Sequence, residues 1–162
     1  MKKILIVAGG YSKEREISLL TAKSVCKELK KHKNYKLLVK EPNGEFIKEL
    51  RKFKPNLVLN LLHGRYGEDG YIQALLESEK VKYTHSGVLS SSLAIDKELS
   101  KKIFIKNNIL TPKFFTLGKE EFKKNILKKF LIKNKINFPV VIKPINEGSS
   151  LGVKISNNII KL

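Results

Sequence analysis

The chain has 162 residues, and a hydrophobic content of 41% favours a packed core over disorder. The single cysteine, Cys26, excludes an internal disulfide, so a reducing cytoplasm is the simplest compartment, and no apolar stretch is long enough to span a bilayer. The formal charge of +18 raises the alternative of nucleic-acid binding. The lysines are scattered, arginines are few and no aromatic residues alternate with them, which favours a solvated surface that attracts anions.

The first part of the chain alternates strand and helix signals. Strands are predicted over 3–8, 35–39, 57–62 and 81–84, and helices over 14–31, 46–53 and 70–79. On the first helix, Cys26 is predicted to be buried filler and Ser12 to be the cap. The predicted inward face of that helix is Ile17, Leu20, Thr21, Ser24, Val25 and Leu29. This order is typical of an α/β fold with a parallel sheet, whose ligands bind beyond the carboxyl ends of the strands.

A second unit is predicted to begin at Asp96, where the pattern of elements starts again. Its elements are a helix over 97–107, an extended segment over 113–117, a basic helix over 119–135, and strands over 140–142 and 152–155. The apolar run over 139–142 is predicted to form a buried strand and to present Lys143 to a loop rich in glycine and serine. A lysine beside such a loop commonly holds phosphate oxygens, although an ordinary polar turn explains this stretch equally well.

Four segments, taken in order, resemble the N-terminal half of the D-alanine–D-alanine ligases, which are ATP-grasp enzymes. They are GGYSKEREISL over 9–19, LHGRYGEDG over 62–70, YTHSGV over 83–88 followed by Asp96-Lys97, and KPINEGSSLG over 143–152. One such motif would be weak, but four in register are specific, and the resemblance runs from residue 1 to about 153. The chain departs from the family's usual glycine at Ala74 and His85, and from its usual methionine at Ile95.

The resemblance implies a parallel-sheet, Rossmann-like (pre-ATP-grasp) substrate-binding domain over 1–95. It implies that 96–162 is the first lobe of an ATP-grasp domain, truncated and incomplete. The reaction it implies is the ATP-dependent joining of two D-alanines into D-alanyl-D-alanine for peptidoglycan synthesis, through an acyl phosphate. ATP, Mg²⁺ and D-alanine are the expected ligands, and a dimer is plausible. The lobe with the metal ligands is absent from this chain, so we expect the chain to be inactive without it.

Three residues are implied to act on the substrate. Glu14 matches a carboxylate that receives the ammonium group of the first D-alanine, and Ser149 matches a hydroxyl that bonds it. His63 could pair with the substrate carboxylate or manage the amine proton, and Glu68 could orient its ring. The competing interpretations are a helix-capping acid for Glu14 and a turn histidine bonded to backbone for His63.

Three more residues are implied to contact the nucleotide. Lys143 matches the strand lysine that contacts the α- and β-phosphates, and Lys97 matches a second lysine at a helix start. Ser150 helps to cover the phosphates and is also a close rival of Ser149. A solvated helix residue is the competing interpretation of Lys97.

The fold predicts that the tips after the first and third strands converge with the serine-bearing hairpin on one cleft. Glu14, His63 and Ser149 are therefore expected to lie together. Two other functions stay open at this point: a non-catalytic binding remnant of the ligase, and a basic nucleic-acid-binding protein, which the scattered lysines disfavour.

Overall fold

A computed structural model describes residues 1–121, 124–148 and 152–160. The chain divides into two compact units, Met1–Ile95 and Asp96–Leu162. None of the helices in the described part is both long enough and apolar enough to cross a membrane.

The first unit is an α/β fold around a parallel sheet, as the sequence predicted. Strand β1 lies between β2 and β3, and both neighbours run parallel to it. The elements in chain order are β1 Lys2–Val7, α1 Arg15–Leu29, β2 Tyr35–Lys40, α2 Phe46–Phe53, β3 Leu57–Asn60, α3 Tyr71–Ser78 and α4 Val88–Ile95. Because all three strands run the same way, β1 and β3 both end at the same edge of the sheet.

Both faces of the sheet are covered, which is why β1 is an almost continuous apolar run. Leu5 and Val7 face the side covered by α2 and α3, and Ile4 and Ile6 face the side covered by α1. The predicted inward face of α1 is partly wrong, since Ile17 is 55% exposed and Leu20 is 60% exposed. The residues of α1 that are buried or packed against the core are Ser18, Leu19, Ala22, Cys26 and Leu29. Small side chains bring the helix close to the sheet, so the apolar spacing alone misplaced the face.

The predicted fourth strand over 81–84 does lie parallel to β3, but it is shorter than a strand. A single parallel bridge joins Val58 to Tyr83, and within the described residues the sheet has three strands in this unit. His85 follows with φ of +81°, in the left-handed region that glycine adopts most easily, and this bends the chain out of the extended conformation. The backbone angle also accounts for the family's usual glycine at this position. Helix α4, which the sequence analysis missed, begins three residues later.

The second unit contains helices and one antiparallel hairpin. Its elements are α5 Lys97–Lys106, a 3₁₀ turn Lys119–Glu121, α6 Lys124–Lys133, β4 Val140–Ile142 and β5 Lys154–Ser156. Helix α5 begins with a cap, because the Asp96 side chain accepts a hydrogen bond from Leu99 N at 2.9 Å.

Two expectations for this unit are wrong. Strand β4 is not buried, because Val141 and its cross-strand partner Ile155 are 54% and 71% exposed. A two-stranded hairpin has one covered face at most, so alternate residues remain in solvent. The basic helix begins at Lys124 rather than at Lys119, while the segment 113–117 lies outside the helices and strands.

Candidate functional site

The ends of β1 and β3 are held together by one hydroxyl group. Gly9 N–H donates to Ser18 Oγ at 2.8 Å, and Ser18 Oγ donates to Leu61 O at 2.6 Å. Ser18 is fully buried and lies on the first turns of α1. The helix therefore connects the two loops that the sequence analysis expected to form a site.

Replacing Ser18 with alanine should lower the free energy of unfolding by about 1–3 kcal/mol, because the Gly9 N–H and the Leu61 carbonyl lose their partner inside the protein. Urea denaturation measures the change. Ser24→Ala is the matched control: its hydroxyl lies at an exposed position and donates to the carbonyl of Leu20 at 3.2 Å. The control should change stability by less than about 0.5 kcal/mol. Equal losses in the two variants would contradict the bridging role.

Glu14 is the N-cap residue of α1, but its side chain makes no capping hydrogen bond, so the capping interpretation is wrong. The residue is only 5% exposed. Its carboxylate lies against the backbone of Gly64, where an added Cβ would be 2.6 Å from Glu14 Oε2. Among residues 1–121, 124–148 and 152–160, the Glu14 carboxylate has neither a hydrogen bond nor an ion pair, and its oxygens are not among the fully enclosed polar atoms that lack a partner. The structure thus shows a buried carboxylate that faces a glycine.

Ser12 connects Glu14 to His63. The Ser12 hydroxyl donates to the carbonyl of His63 at 2.8 Å and accepts from Glu14 N–H at 3.1 Å. Ser12 is therefore not the helix cap that the sequence predicted, since the N-cap is Glu14 and the helix begins at Arg15. The tips after β1 and β3 do come together, and they bring Glu14 and His63 into one neighbourhood.

The ring of His63 lies between two side chains. Thr21 Oγ1 is 3.3 Å from Nε2, and Glu68 Oε1 is 3.9 Å from Nδ1. The second distance is an ion-pair approach rather than a hydrogen bond. The other oxygen of Glu68 accepts from Gly64 N–H at 2.8 Å. Glu68 therefore lies beside the ring, as expected. Both of these ring contacts are with side chains, whereas the competing interpretation of His63 was a turn histidine bonded to backbone.

The loop that carries His63 is fixed by buried amides. Asn60 Nδ2 donates to the carbonyl of Gly67 at 2.8 Å, and Asn60 Oδ1 accepts from Leu62 N–H at 3.1 Å. Gln73 Nε2 donates to the same Gly67 carbonyl at 2.9 Å. Gly67 has no space for a side chain, because a Cβ there would collide with Leu62. The loop is thus a fixed platform.

An ion pair between Arg15 and Glu41 stabilises the loop that follows β1, at the same edge of the sheet. Arg15 Nη2 and Nε donate to the two oxygens of Glu41 at 2.6 and 3.0 Å, and Glu41 Oε2 also accepts from Gly10 N–H at 3.2 Å. The hydrogen bond from Arg15 lowers the pKa of Glu41 below its ordinary value of 4.5. The pair therefore fixes the glycine turn that precedes α1.

The lowered pKa of Glu41 predicts a pH-dependent contribution to stability. The contribution is complete above about pH 4.5, the value in the unfolded chain, and it is lost as the pH falls through the lower folded value. The difference in free energy of unfolding between the parent protein and Glu41→Gln should therefore shrink as the pH falls below about 4. Urea titrations at several pH values measure it, and a constant difference would contradict the pairing.

In the second unit, Lys97 is half-buried rather than solvated. Its ammonium group donates to the carbonyls of Glu147 at 2.6 Å and Ile145 at 3.2 Å. Lys143, predicted to be a buried lysine, is exposed, because β4 has no second covering layer. The pKa of the neighbouring Lys101 is lowered, first by burial and then by the positive charge of Lys143. The ammonium groups of Lys97, Lys101 and Lys143 therefore make the surroundings of the loop that begins at 145 positively charged.

Ser149 and Ser150 lie outside the described residues, so their predicted contacts stay predictions. Within the described ranges, no three His, Cys, Asp or Glu side chains form a group that could hold a metal ion. The sequence analysis missed the roles of Ser18, Asn60 and Glu41. A signal existed for Ser18, which stands one helical turn after Glu14 and one before Ala22, so the three share a face of α1.

Comparison with known proteins gives consistent relatives. A family model described as the D-ala D-ala ligase C-terminus matches residues 103–162. The D-alanine–D-alanine ligase of Pelagibacter ubique is 57% identical over 162 residues, which cover 99% of this chain and 52% of the relative. The ligase of Wolbachia pipientis wMel is 47% identical over 152 residues, which cover 94% of this chain and 46% of the relative.

Solved structures agree with the sequence relatives. The D-alanine–D-alanine ligase of Bacillus anthracis matches with a TM-score of 0.81 at 35% identity, covering 98% of this chain and 50% of that one. A structure of the Bacillus anthracis ligase complexed with ATP matches with a TM-score of 0.80 at 32% identity, covering 99% and 52%. The chain spans about half the length of the relatives it matches. The resemblance that the four motifs indicated is therefore confirmed: the chain is related to the D-alanine–D-alanine ligases along about half of their length.

Proposed function

We propose that this chain supplies the D-alanine-binding unit and the first nucleotide-binding lobe of a D-alanine–D-alanine ligase. The proposed reaction joins two D-alanines into D-alanyl-D-alanine, driven by ATP and passing through an acyl phosphate, for peptidoglycan synthesis in the cytoplasm. One observation carries the proposal: the buried carboxylate of Glu14 has no partner among the described residues. The ligase names of relatives that match nearly the whole chain support it.

Glu14 is the proposed receptor for the ammonium group of the first D-alanine. A largely buried carboxylate without a cation is costly, because it has lost much of its hydration and gained no compensating charge. An ammonium group beside it restores that balance through charge-assisted hydrogen bonds. Gly64 leaves the carboxylate accessible on the side where a Cβ would obstruct it. The surroundings of Glu14 are thus suited to an ammonium group rather than to an anion.

His63 is the second proposed substrate residue of this unit. Its side chain is 31% exposed, so a bound amino acid can reach the ring. We assign it either the carboxylate of the first D-alanine or the proton of the attacking amine, both of which suit an imidazole. Ser149, as the hydroxyl partner of Glu14, remains part of the proposal by its place in the motif alone.

Lys97, Lys143 and Ser150 are the proposed nucleotide residues of the second unit. The donor set fits a polyphosphate, because Lys143 is exposed and its charge already lowers the pKa of Lys101. An anion placed there would relieve the repulsion between lysines. ATP, when bound, supplies the phosphoryl group that activates the substrate carboxylate. The ATP complex of the Bacillus anthracis relative supports this assignment.

Mg²⁺ is the implied companion of ATP, but the described residues include no group of acidic or histidine side chains that could hold a metal ion. We therefore assign no metal ligand to these residues, and we propose that the chain is inactive without the remaining half of its relatives' length. Dimerisation is a further part of the proposal, and analytical ultracentrifugation of the purified chain measures it.

Mixing experiments test the proposed function. The 162-residue chain is combined with the part of the Pelagibacter ubique ligase that lies beyond the match, together with ATP, Mg²⁺ and D-alanine. Phosphate release and D-alanyl-D-alanine are measured by a coupled assay and by mass spectrometry. We expect no product from either piece and product from the mixture, and Glu14→Gln should abolish it.

Two results would count against this function. Binding of ADP and D-alanine without product, from a mixture that associates, would favour the non-catalytic remnant. Absence of binding, combined with a steep salt-dependent affinity for DNA, would favour the nucleic-acid-binding alternative.

A further inference from the structure

Thr21 has a contact that the proposed function does not use. It lies on α1, one helical turn after Ile17, and its side chain faces the ring of His63. The hydroxyl makes two contacts: Thr21 Oγ1 is 2.9 Å from the carbonyl oxygen of Ile17 and 3.3 Å from His63 Nε2.

The number of protons decides the direction of these two contacts. A threonine hydroxyl has one proton to donate and two lone pairs that can accept. The carbonyl of Ile17 has no proton, so Thr21 must be the donor in that bond, which is also the shorter of the two. Thr21 Oγ1 can then only accept from the ring. His63 Nε2 must therefore carry a proton.

We infer that Thr21 is a positioning residue that keeps the proton of neutral His63 on Nε2, so that His63 takes up and releases protons at Nδ1. In a neutral imidazole only one nitrogen carries a proton, so Nδ1 has the free lone pair. Nδ1 is the nitrogen that faces Glu68, with 3.9 Å between Nδ1 and Oε1.

The surroundings of Nδ1 suit this task. Glu68 is held in place because its other oxygen accepts from Gly64 N–H at 2.8 Å. A proton that arrives at Nδ1 makes the ring cationic, and the Glu68 carboxylate then stabilises that charge. The contacts of Nε2 and Nδ1 thus have separate functions: Thr21 fixes the ring, and Glu68 compensates the charge.

The chemical step rests on the proposed function for the identity of the proton donor. The ammonium group of the second D-alanine loses a proton: one N–H bond breaks, its electron pair stays on nitrogen, and a new N–H bond forms at Nδ1. The ring becomes imidazolium and the amine becomes a nucleophile. The proton later leaves Nδ1 to water, which restores the neutral ring.

Nitrogen-15 NMR of histidine side chains tests the inference on the whole chain without any ligand. The protein has three histidines, and His63→Gln identifies the signals of His63 by their loss. Spectra at about pH 9, well above the ordinary histidine range, report the tautomer of the neutral ring. We expect Nε2 to be protonated and Nδ1 to be bare in the parent protein. A ring protonated at Nδ1 would overturn the inference, and this arm needs no substitution that could affect folding.

Substitutions of Thr21 provide the sharper comparison. Thr21→Val keeps the shape and removes the acceptor, so the ratio of Nε2–H to Nδ1–H tautomers should fall by about fivefold, the effect of one ordinary hydrogen bond. Thr21→Ser keeps the acceptor and should leave the ratio close to that of the parent. Equal ratios in the valine and serine variants would overturn the role of Thr21. Because no nucleotide or amino acid is present, failure here is distinct from failure of the ligase proposal, which the product assay detects.

Discussion

Replacing Glu14 with glutamine should weaken D-alanine binding by at least about a hundredfold, while the free energy of unfolding stays the same or rises. The first effect follows because the bound ammonium group would lose its only proposed anionic partner. The second follows because a neutral amide is less costly to bury than an unpaired carboxylate. Few substitutions improve stability and abolish binding together, so this pair of changes is diagnostic of a ligand site.

Titration calorimetry with D-alanine and urea denaturation measure the two effects of Glu14→Gln. Glu16→Gln is the matched control, since Glu16 is two residues away, its side chain is 78% exposed, and it pairs with Arg15 at 2.9 Å. The control should retain D-alanine affinity within about twofold, because surface pairs contribute little. Equal affinity in the parent and Glu14→Gln would remove the assignment of Glu14 to the substrate.

Replacing Asn60 with leucine should lower the free energy of unfolding by about 2–5 kcal/mol. Asn60 is fully buried, and its amide serves two backbone groups, the N–H of Leu62 and the carbonyl of Gly67. Leucine has a similar volume and no polar atoms. The Leu62 N–H would then be buried without a partner, and Gly67 would retain only the bond from Gln73.

Urea denaturation measures the loss, and Asn56→Leu is its control. Asn56 also accepts a backbone hydrogen bond, from Lys3 N–H at 2.8 Å, but at an exposed position. Loss of this hydrogen bond in Asn56→Leu should lower the free energy of unfolding by less than about 1 kcal/mol, because water replaces the missing partner. A loss in Asn60→Leu as small as in the control would show that the loop over 61–68 does not depend on the amide.

The sheet of the first unit could be predicted because its central strand β1 is buried on both faces. The strand Lys2–Val7 is an apolar run that ends at a pair of glycines, and helix Phe46–Phe53 was predicted with its observed bounds. The face of α1 could not be predicted, since Ser18 is buried for its hydroxyl and its small size rather than for hydrophobicity. Periodicity reports apolar side chains, so it misses a helix that packs through serine and alanine.

In the candidate site, too, some residues could be predicted from the sequence and others could not. Glu14 and His63 could be placed near one another because both follow strands that end at one edge of a parallel sheet. Thr21 and Glu41 could not be assigned, because each acts through a hydrogen bond to a residue that is distant in the sequence. Asn60 could not be assigned because its partner, the carbonyl of Gly67 in the loop that follows β3, is a backbone group that sequence patterns do not mark. Lys143 was wrongly predicted to be buried, since the sequence shows an apolar run before it but not how many layers cover that run.

The most direct test of the account is a nitrogen-15 spectrum of the chain titrated with D-alanine and, separately, with L-alanine. We predict that D-alanine shifts backbone amide signals in residues 9–15 and 61–68, that L-alanine shifts them far less, and that both effects vanish in Glu14→Gln. No shift in either segment, or equal shifts with the two enantiomers, would contradict the assignment of Glu14 to the binding of a D-amino acid.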